Sequence, residues 1–448
     1  MKFGGSSLAS DEAIRRAAAI VAERLPRRPV VVVSAMGKTT DRLLEAADLA
    51  AAGRRNDALR LAGELKEFHL REGHPCGGRT EALFEELAEL LRGLSVIGEL
   101  TPRTIDAVSS YGERLSSMIV AEKFRAAGID AAHADSRDLI VTDGRHTAAV
   151  PIFAETYARI AERVPPLLET HDAVVMGGFI ARSRDGVVTT LGRGGSDFTA
   201  SIVGAALDAE EIQIWTDVDG MLTSDPRLVA GVHRVKVISF DEAAELAYFG
   251  ARVLHPSTLV PAVEKNIPVR ILNSYRPRAE GTRIVAERVP CRNIVKAISA
   301  KSGITIVNIR STRMLGAHGF LRRIFEVFDR HHTSVDMVST SEVSVSATID
   351  DARALDAIKA DLEEFSTVEV ESDQAIVCVV GDNIRYTPGI AGRLFQALNG
   401  VNIRMISQGA SLLNMGFVVA GSDLERALEA LHTEFFSDLD PAVFDRLR

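Results

Sequence analysis

The chain has 448 residues, too many for one compact core at about 100–200 residues per domain, so several domains are expected. Its 46% apolar and 25% charged residues are ordinary for a soluble globular protein and wrong for a disordered one. Lys+Arg number 52 against Asp+Glu 61, a net charge of −9, which is the opposite of the basic footprint that binds nucleic acid.

The longest apolar stretch, residues 29–36, falls far short of the roughly 20 residues needed to cross a bilayer. No charged-then-apolar leader with a small-residue cleavage site opens the chain. Cys76, Cys291 and Cys378 are scattered, without a disulfide framework or zinc-ligand spacing. A reduced, cytoplasmic protein with no membrane partner is the expectation.

In chain order, residues 10–25 predict a helix: Ser10 suits the N-cap, Asp11 and Glu12 the positive end of the dipole, and Pro26 the stop. The β-branched run at 29–34 predicts a buried strand. Residues 39–127 are almost all helix-patterned, with breaks at Gly53, at 73–78 and around Pro102. Strands at 139–142, 173–180, 187–192, 211–218 and 267–272 then alternate with helices such as 197–207 and 241–249. That alternation favours a parallel α/β sheet covered by helices.

Near residue 290 the rhythm changes. Strand 304–309, helix 319–331, strands 334–339 and 342–349, helix 351–364 and strand 367–372 give βαββαβ. A second copy follows as strand 375–380, helix 389–398, strands 401–407 and 414–420, and helix 422–435. It lacks a closing strand, which 294–299 (IVKAIS) would supply, making the first copy an insertion within the second.

Three motifs carry candidate chemistry. Lys2-Phe3-Gly4-Gly5-Ser6-Ser7 joins a lysine to paired glycines and hydroxyls ahead of a helix, which suits phosphate binding, although an ordinary strand-to-helix turn reads equally well. Gly192-Arg193-Gly194-Gly195-Ser196-Asp197 offers a second anion cradle. In it Arg193 is suited to a carboxylate and Asp197 either orients a lysine or merely caps a helix. The segment 215–227 (WTDVDG…TSDPR) puts acidic and turn residues at a strand end, where α/β sheets bind ligands, or is a solvated turn. Glu113, in Gly112-Glu113-Arg114, either receives a substrate ammonium or belongs to a surface ion pair. His74 and Cys76 have no partner ligands at metal spacing, and the His331-His332 pair suits a helix dipole better than a metal.

Taken together, KFGGSS at 2–7, SYGERLS at 110–116, LGRGGSDFTA at 191–200, WTDVDG…TSDPR at 215–227 and FGARVLHP at 249–256 resemble an aspartokinase. The repeated C-terminal modules resemble that family's paired ACT domains. The stretches MLGAHGFL (314–321) and SVDMVSTSEVSVS (334–346) are most similar to the lysine-sensitive monofunctional type. The resemblance implies an amino-acid-kinase α/β/α sandwich with a mainly parallel sheet over 1–290. ACT domains follow at 303–373 and 374–437, the latter completed by 294–299.

It implies phosphorylation of the β-carboxylate of L-aspartate by ATP with Mg²⁺, the first step of the aspartate-family amino-acid pathway. Lys2 and Asp197, with Gly5 and Gly195, would be catalytic. Ser34, Thr40, Glu113, Phe179, Arg193 and Ser196 would bind aspartate. Lys2, Gly4, Gly5, Ser6, Thr216, Asp217, Arg227 and Arg252 would bind the nucleotide. Met314, Gly319, Phe320, Leu321, Asp336, Ser341 and Glu342 would form an allosteric lysine pocket, in which the effector's ε-ammonium needs a carboxylate such as Asp336. No protein metal site is implied. A homodimer or a dimer of dimers through the ACT domains is expected.

The family pattern is departed from at three points. Only Met1 precedes the KFGG motif, where a short apolar strand is usual, which leaves the anchoring of Lys2 open. Leu222 stands where an aromatic residue is common, and Arg252 replaces a common lysine, keeping its charge but not its shape. The rival readings are another amino-acid kinase on the same scaffold and a catalytically weak amino-acid sensor.

Overall fold

The computed structural model describes residues 1–73, 78–249, 256–311 and 318–446. The chain forms two compact units, Met1–Met221 with Leu254–Glu287, and Leu222–Val253 with Arg288–Arg448. None of the described helices is long and apolar enough to cross a membrane.

In the first unit, the short strand Lys2–Phe3 lies between Val30–Val33 and Ile212–Thr216, parallel to both. The parallel order continues through Ala173–Gly177 to Ala131–Ala134 on one side and to Val269–Asn273 on the other. Thr282–Val285 adds an antiparallel strand beyond Val269–Asn273. Val31, Val33, Ala173 and Val175 are fully buried, the mark of strands covered on both faces.

Helix Asp11–Ala22 starts where its cap dictates: Ser10 Oγ accepts from the Ala13 N–H at 3.2 Å, and Asp11 and Glu12 fill the first turn. The helix-patterned stretch resolves into Thr39–Ala51, Arg55–Gly73, Arg79–Ile97, Pro102–Ser109 and Tyr111–Ala126. The first four of these and the start of the fifth bury a core of their own, including Leu43, Leu65, Phe84, Leu91, Val108 and Leu115. The strand expected at 139–142 is shorter, Val141–Thr142. The Asp135 carboxylate accepts from the Arg137 N–H at 3.0 Å and caps a helical turn over Ser136–Leu139.

In the second unit, two pairs of expected strands are each one continuous strand. Val295–Arg310 carries both 294–299 and 304–309, and Thr367–Gly381 carries both 367–372 and 375–380. They run antiparallel at the centre of a six-stranded sheet, with register shifts around Ser302–Ile306. Gly303 and Asp373, both at positive φ, mark the bend that reads as a turn in the sequence. On one side, Ser344–Ile349 and Val338–Thr340 complete the first βαββαβ module. On the other, Asn414–Ala420 and Ile403–Gln408 complete the second. Val295 and residues 297–302 pair with 375–381, so residues from before the first module supply the second module's outer strand.

Residues 222–249, inside the span expected for the catalytic domain, pack with these modules. His233–Val235 pairs with Phe444–Arg446. The helix Phe240–Tyr248 starts in a capping box made by Ser239 and Glu242, and Glu242 also holds the fully buried Lys296 ammonium at 2.9 Å. One turn on, Glu245 accepts from Ser411 and Asn414.

Candidate active site

The strand Lys2–Phe3 ends at the carboxyl edge of the parallel sheet, the usual ligand edge of such folds. Its side-by-side pairing, Lys2 with Val32 and Ile214, anchors the lysine. The Val32 N–H donates to Met1 O at 2.8 Å, which continues that pairing next to Lys2. Lys2 Nζ lies 2.7 Å from Asp197 Oδ1, with both side chains largely shielded from water. Asp197 therefore holds the lysine as well as standing in the first turn of helix Gly195–Ala206.

After Phe3 the chain turns tightly. A Cβ on Gly5 would lie 2.8 Å from Ala35 O and 2.9 Å from Gly37 O, so only glycine fits this backbone approach. At the second glycine loop, a Cβ on Gly195 would meet Phe179 Cδ2 at 2.7 Å. Phe179 itself is held at φ 65°, its N–H donating to Thr199 Oγ1 at 3.0 Å.

These elements enclose a cavity of about 270 Å³ lined by Lys2, Ser34, Thr40, Glu113, Phe179, Gly192, Gly194, Gly195, Ser196 and Asp197. Residues expected to act together from five separate stretches of sequence are thus brought to one place. Arg193 stands exposed on the turn between Gly192 and Gly194, at the rim rather than in the wall. A larger cavity of about 420 Å³, lined by Met1, Val30, Leu168, Val203 and Gln213 among others, contains none of the expected site residues.

Glu113 is not part of a surface ion pair. Its neighbour Arg114 pairs with Glu86 at 3.0 Å, whereas Glu113 is 3% exposed in the first turn of Tyr111–Ala126. Glu113 Oε1 accepts from the Ala35 N–H at 3.0 Å, and Oε2 is buried with no hydrogen-bond partner among the described residues. Burial pushes the carboxyl up to about 8, against the opposing pull of the Ala35 N–H and the Lys2 ammonium. A cation arriving at Oε2 would relieve that burial cost.

Of the expected nucleotide residues, Thr216 Oγ1 donates to Asp217 at 3.2 Å. Segment 273–276, which no sequence motif flagged, ties the region together. Tyr275 Oη donates to Ser6 O at 3.2 Å, Ser274 N–H donates to Thr216 O at 2.8 Å, and Asn273 and Arg276 both engage Asp219. Arg227 belongs to the second unit, where it forks onto Asp225. Arg252 lies outside the described residues, as do Met314, His74 and Cys76.

Another residue without a sequence signal is Asp106, fully buried on helix Pro102–Ser109. Its carboxylate accepts from Thr190 Oγ1 at 2.6 Å and Thr147 N–H at 3.0 Å, and lies 2.7 Å from His146 Nδ1. Those contacts bind the 146–149 loop to the strand leading into Gly192, which lines the cavity.

Among the expected effector residues, Gly319 and Phe320 open helix Phe320–Arg330, Leu321 is 41% exposed, and Ser341 and Glu342 lie in an exposed turn. Asp336 is 6% exposed at its side chain, and Lys301 Nζ sits 2.9 Å from its Oδ1. His331 pairs with Asp361 at 2.9 Å. Among the described residues, no group of three or more His, Cys, Asp or Glu side chains is arranged to hold a metal ion.

Residues 1–273 match the amino acid kinase family, and 307–365 and 377–435 match ACT domains. Aspartokinase 2, chloroplastic, of Arabidopsis thaliana is 40% identical over 98% of this chain and 84% of its own. Lysine-sensitive aspartokinase 3 of Escherichia coli is 36% identical over 97% and 98%. The crystal structure of E. coli aspartokinase III with aspartate and ADP aligns with a TM-score of 0.85 at 34% identity, covering 97% of this chain and 99% of that one. The same enzyme with lysine and aspartate aligns at 0.81, with 35% identity and coverage of 97% and 98%.

Proposed function

The chain belongs to the aspartokinase family and is an aspartate kinase, and from that premise we propose how its residues share the work. The reaction passes the γ-phosphoryl group of ATP to the β-carboxylate of L-aspartate, giving 4-phospho-L-aspartate and ADP. Such a transfer rests on positioning and charge stabilisation.

The observation that carries the reading is one cavity holding both a braced ammonium and a partnerless buried carboxylate oxygen. Glu113 Oε2 receives the α-ammonium of aspartate, and Arg193 at the rim takes its α-carboxylate as a bidentate partner. Ser34, Thr40, Phe179 and Ser196 shape the wall around the side chain. Lys2, aimed by Asp197, neutralises charge on the transferring phosphoryl group. Gly4, Gly5, Gly194 and Gly195 let backbone approach the phosphates, and Ser6, Thr216, Asp217, Arg227 and Arg252 serve the nucleotide. With no protein cage among the described residues, Mg²⁺ would be held by ATP phosphates and water, where it neutralises phosphate charge.

A coupled ADP-release assay with L-aspartate tests this. Turnover with aspartate and none with glutamate or N-acetylglutamate is expected. A preference for either of those acceptors would overturn the assignment, and absence of turnover with all three would favour a sensor.

Feedback inhibition by lysine is the regulatory part of the proposal, with Met314, Gly319, Phe320, Leu321, Asp336, Ser341 and Glu342 as the pocket. It is supported by the named sensitivity of the E. coli relative. Inhibition requires lysine to bind one conformational state better than another. Inhibition by threonine and not lysine would contradict it. Self-association through the first ACT module is supported by its wholly exposed edge strand Val338–Thr340 and by exposed Leu321, Phe325 and Val343. Sedimentation showing a monomer at assay concentration would refute that.

A further inference from the structure

The carboxylate proposed to receive the effector's ammonium already holds one. Lys301 Nζ lies 2.9 Å from Asp336 Oδ1 and 2.7 Å from Asp350 Oδ2. Lys301 sits on the part of Val295–Arg310 that pairs with the second module, opposite Ile376 and two residues before the bend at Gly303. Asp336 and Asp350 belong to the first module, Asp350 directly after Ser344–Ile349. The lysine side chain therefore crosses the junction between the modules.

The two acids differ in setting. Asp336 is 6% exposed, with the Tyr248 hydroxyl as a second hydrogen-bonding neighbour beside Lys301, whereas Asp350 is 43% exposed. Burial holds the Asp336 carboxyl above the usual carboxylate range, with Lys301 pulling the other way. For Lys301, burial acts to lower its pKa, but the hydrogen bonds to Asp350 and Asp336 outweigh it and raise it. Asp336 thus needs a cation, and Asp350 gives Lys301 a second seat in contact with water.

We propose that Lys301 is an internal competitor for the effector seat: a free lysine places its ε-ammonium on Asp336 only as Lys301 withdraws onto Asp350. The chemistry is an exchange of like for like, one alkylammonium on a four-carbon stem for another. It makes Lys301 a specificity-determining residue, since an amino acid without a distal cation leaves Asp336 with a buried charge once Lys301 departs. The exchange also reaches across the module junction. Met337, next to Asp336, packs in one cluster with Ile304, Ile376, Met405 and Val418 and with Phe249. This inference rests on the reading of lysine as the effector at Asp336.

The test is L-lysine titration of aspartate kinase activity at pH 8 in the full-length protein, comparing wild type with Lys301→Met, Lys301→Gln and Asp350→Asn, alongside calorimetric binding of L-lysine. Loss of the competitor is expected to lower the half-inhibiting lysine concentration roughly fivefold in both Lys301 variants, the scale of a partly exposed ion pair. Loss of the second seat in Asp350→Asn is expected to raise it severalfold. Unchanged or weakened inhibition in folded, active Lys301 variants would overturn the proposal, because it would make Lys301 a brace for Asp336 rather than a rival. A wild-type enzyme that neither binds lysine nor responds to it would overturn the effector reading itself, and wild type alone reveals that case.

Discussion

Two buried carboxylates in this chain are proposed to meet the ammonium of a free amino acid, and they are prepared in opposite ways. Glu113 has one oxygen satisfied by a backbone N–H and the other with no partner among the described residues, and burial pushes its carboxyl up to about 8. Asp336 is engaged by Lys301, which has Asp350 as an alternative. The first arrangement is destabilised until substrate arrives and favours binding. The second is satisfied without a ligand and sets a threshold that the effector must exceed. A substrate site that loads readily and a regulatory site that loads only when its ligand is abundant is a sensible division for feedback control.

The largest effect expected is at the phosphoryl end of the substrate cavity. Lys2→Ala should lower kcat by ~10²–10³, the scale of losing a preorganised charge stabiliser. Lys2→Arg should recover little, because the site and Asp197 fit a compact ammonium. Near-normal turnover in Lys2→Ala would remove the lysine from the chemistry and leave Glu113 as a binding device without a reaction beside it.

Glu113 itself comes next. Glu113→Ala should raise the KM for aspartate about 10²-fold while leaving the KM for ATP within about twofold, as expected when one member of a buried charge pair is removed. Parallel weakening of both substrates would contradict its role. The raised pKa adds a pH signature. In free enzyme the carboxyl is neutral well below pH 8, so kcat/KM for aspartate should climb with pH and level off above about 8. Stability should run the other way. A carboxyl whose pKa is raised on folding stabilises the fold fully at pH below the unfolded value, and that contribution is lost as pH rises through about 8. Glu113→Gln should flatten both profiles.

At the regulatory site, Asp336→Asn should raise the half-inhibiting lysine concentration about tenfold, since the amide offers the effector no charge. An unchanged inhibition curve would dissolve the comparison, because Asp336 would then be nothing more than the partner of Lys301.

The parts of this molecule legible in its sequence are those fixed by local chemistry. Ser10 with Asp11 and Glu12 announces a helix start, and Gly53 and Pro102 break a helical stretch where they stand. The glycine loops are legible because Gly5 and Gly195 sit where backbone or side chain leaves no room for a Cβ. The fused strands are not, since Gly303 and Asp373 at positive φ look like turns although pairing carries through them. Nor is the grouping of residues 222–249 with the ACT modules, which depends on contacts such as Glu242 with Lys296 and Thr223 with His432. The pairing of Lys301 with Asp336 is of the same kind: 35 residues separate them, and each alone reads as an ordinary charged strand residue.

Asp106 shows how the same gap affects the substrate cavity, and it yields the smallest expected effect. No motif marks it, yet its carboxylate gathers Thr190, Thr147 and His146 behind the turn that carries Gly192 and Arg193. Gly192 is pressed against this loop, with its Cβ position 3.0 Å from Thr147 O. If the clamp serves to aim Arg193, removing one donor without changing shape should loosen the grip on the aspartate α-carboxylate alone. Thr190→Val is that change: it should raise the KM for aspartate about threefold, in line with one charge-assisted hydrogen bond weakened at a distance, with the KM for ATP unchanged. A fall in melting temperature with both KM values intact would instead make Asp106 a purely structural knot. The substrate side of the comparison would then end at the cavity wall.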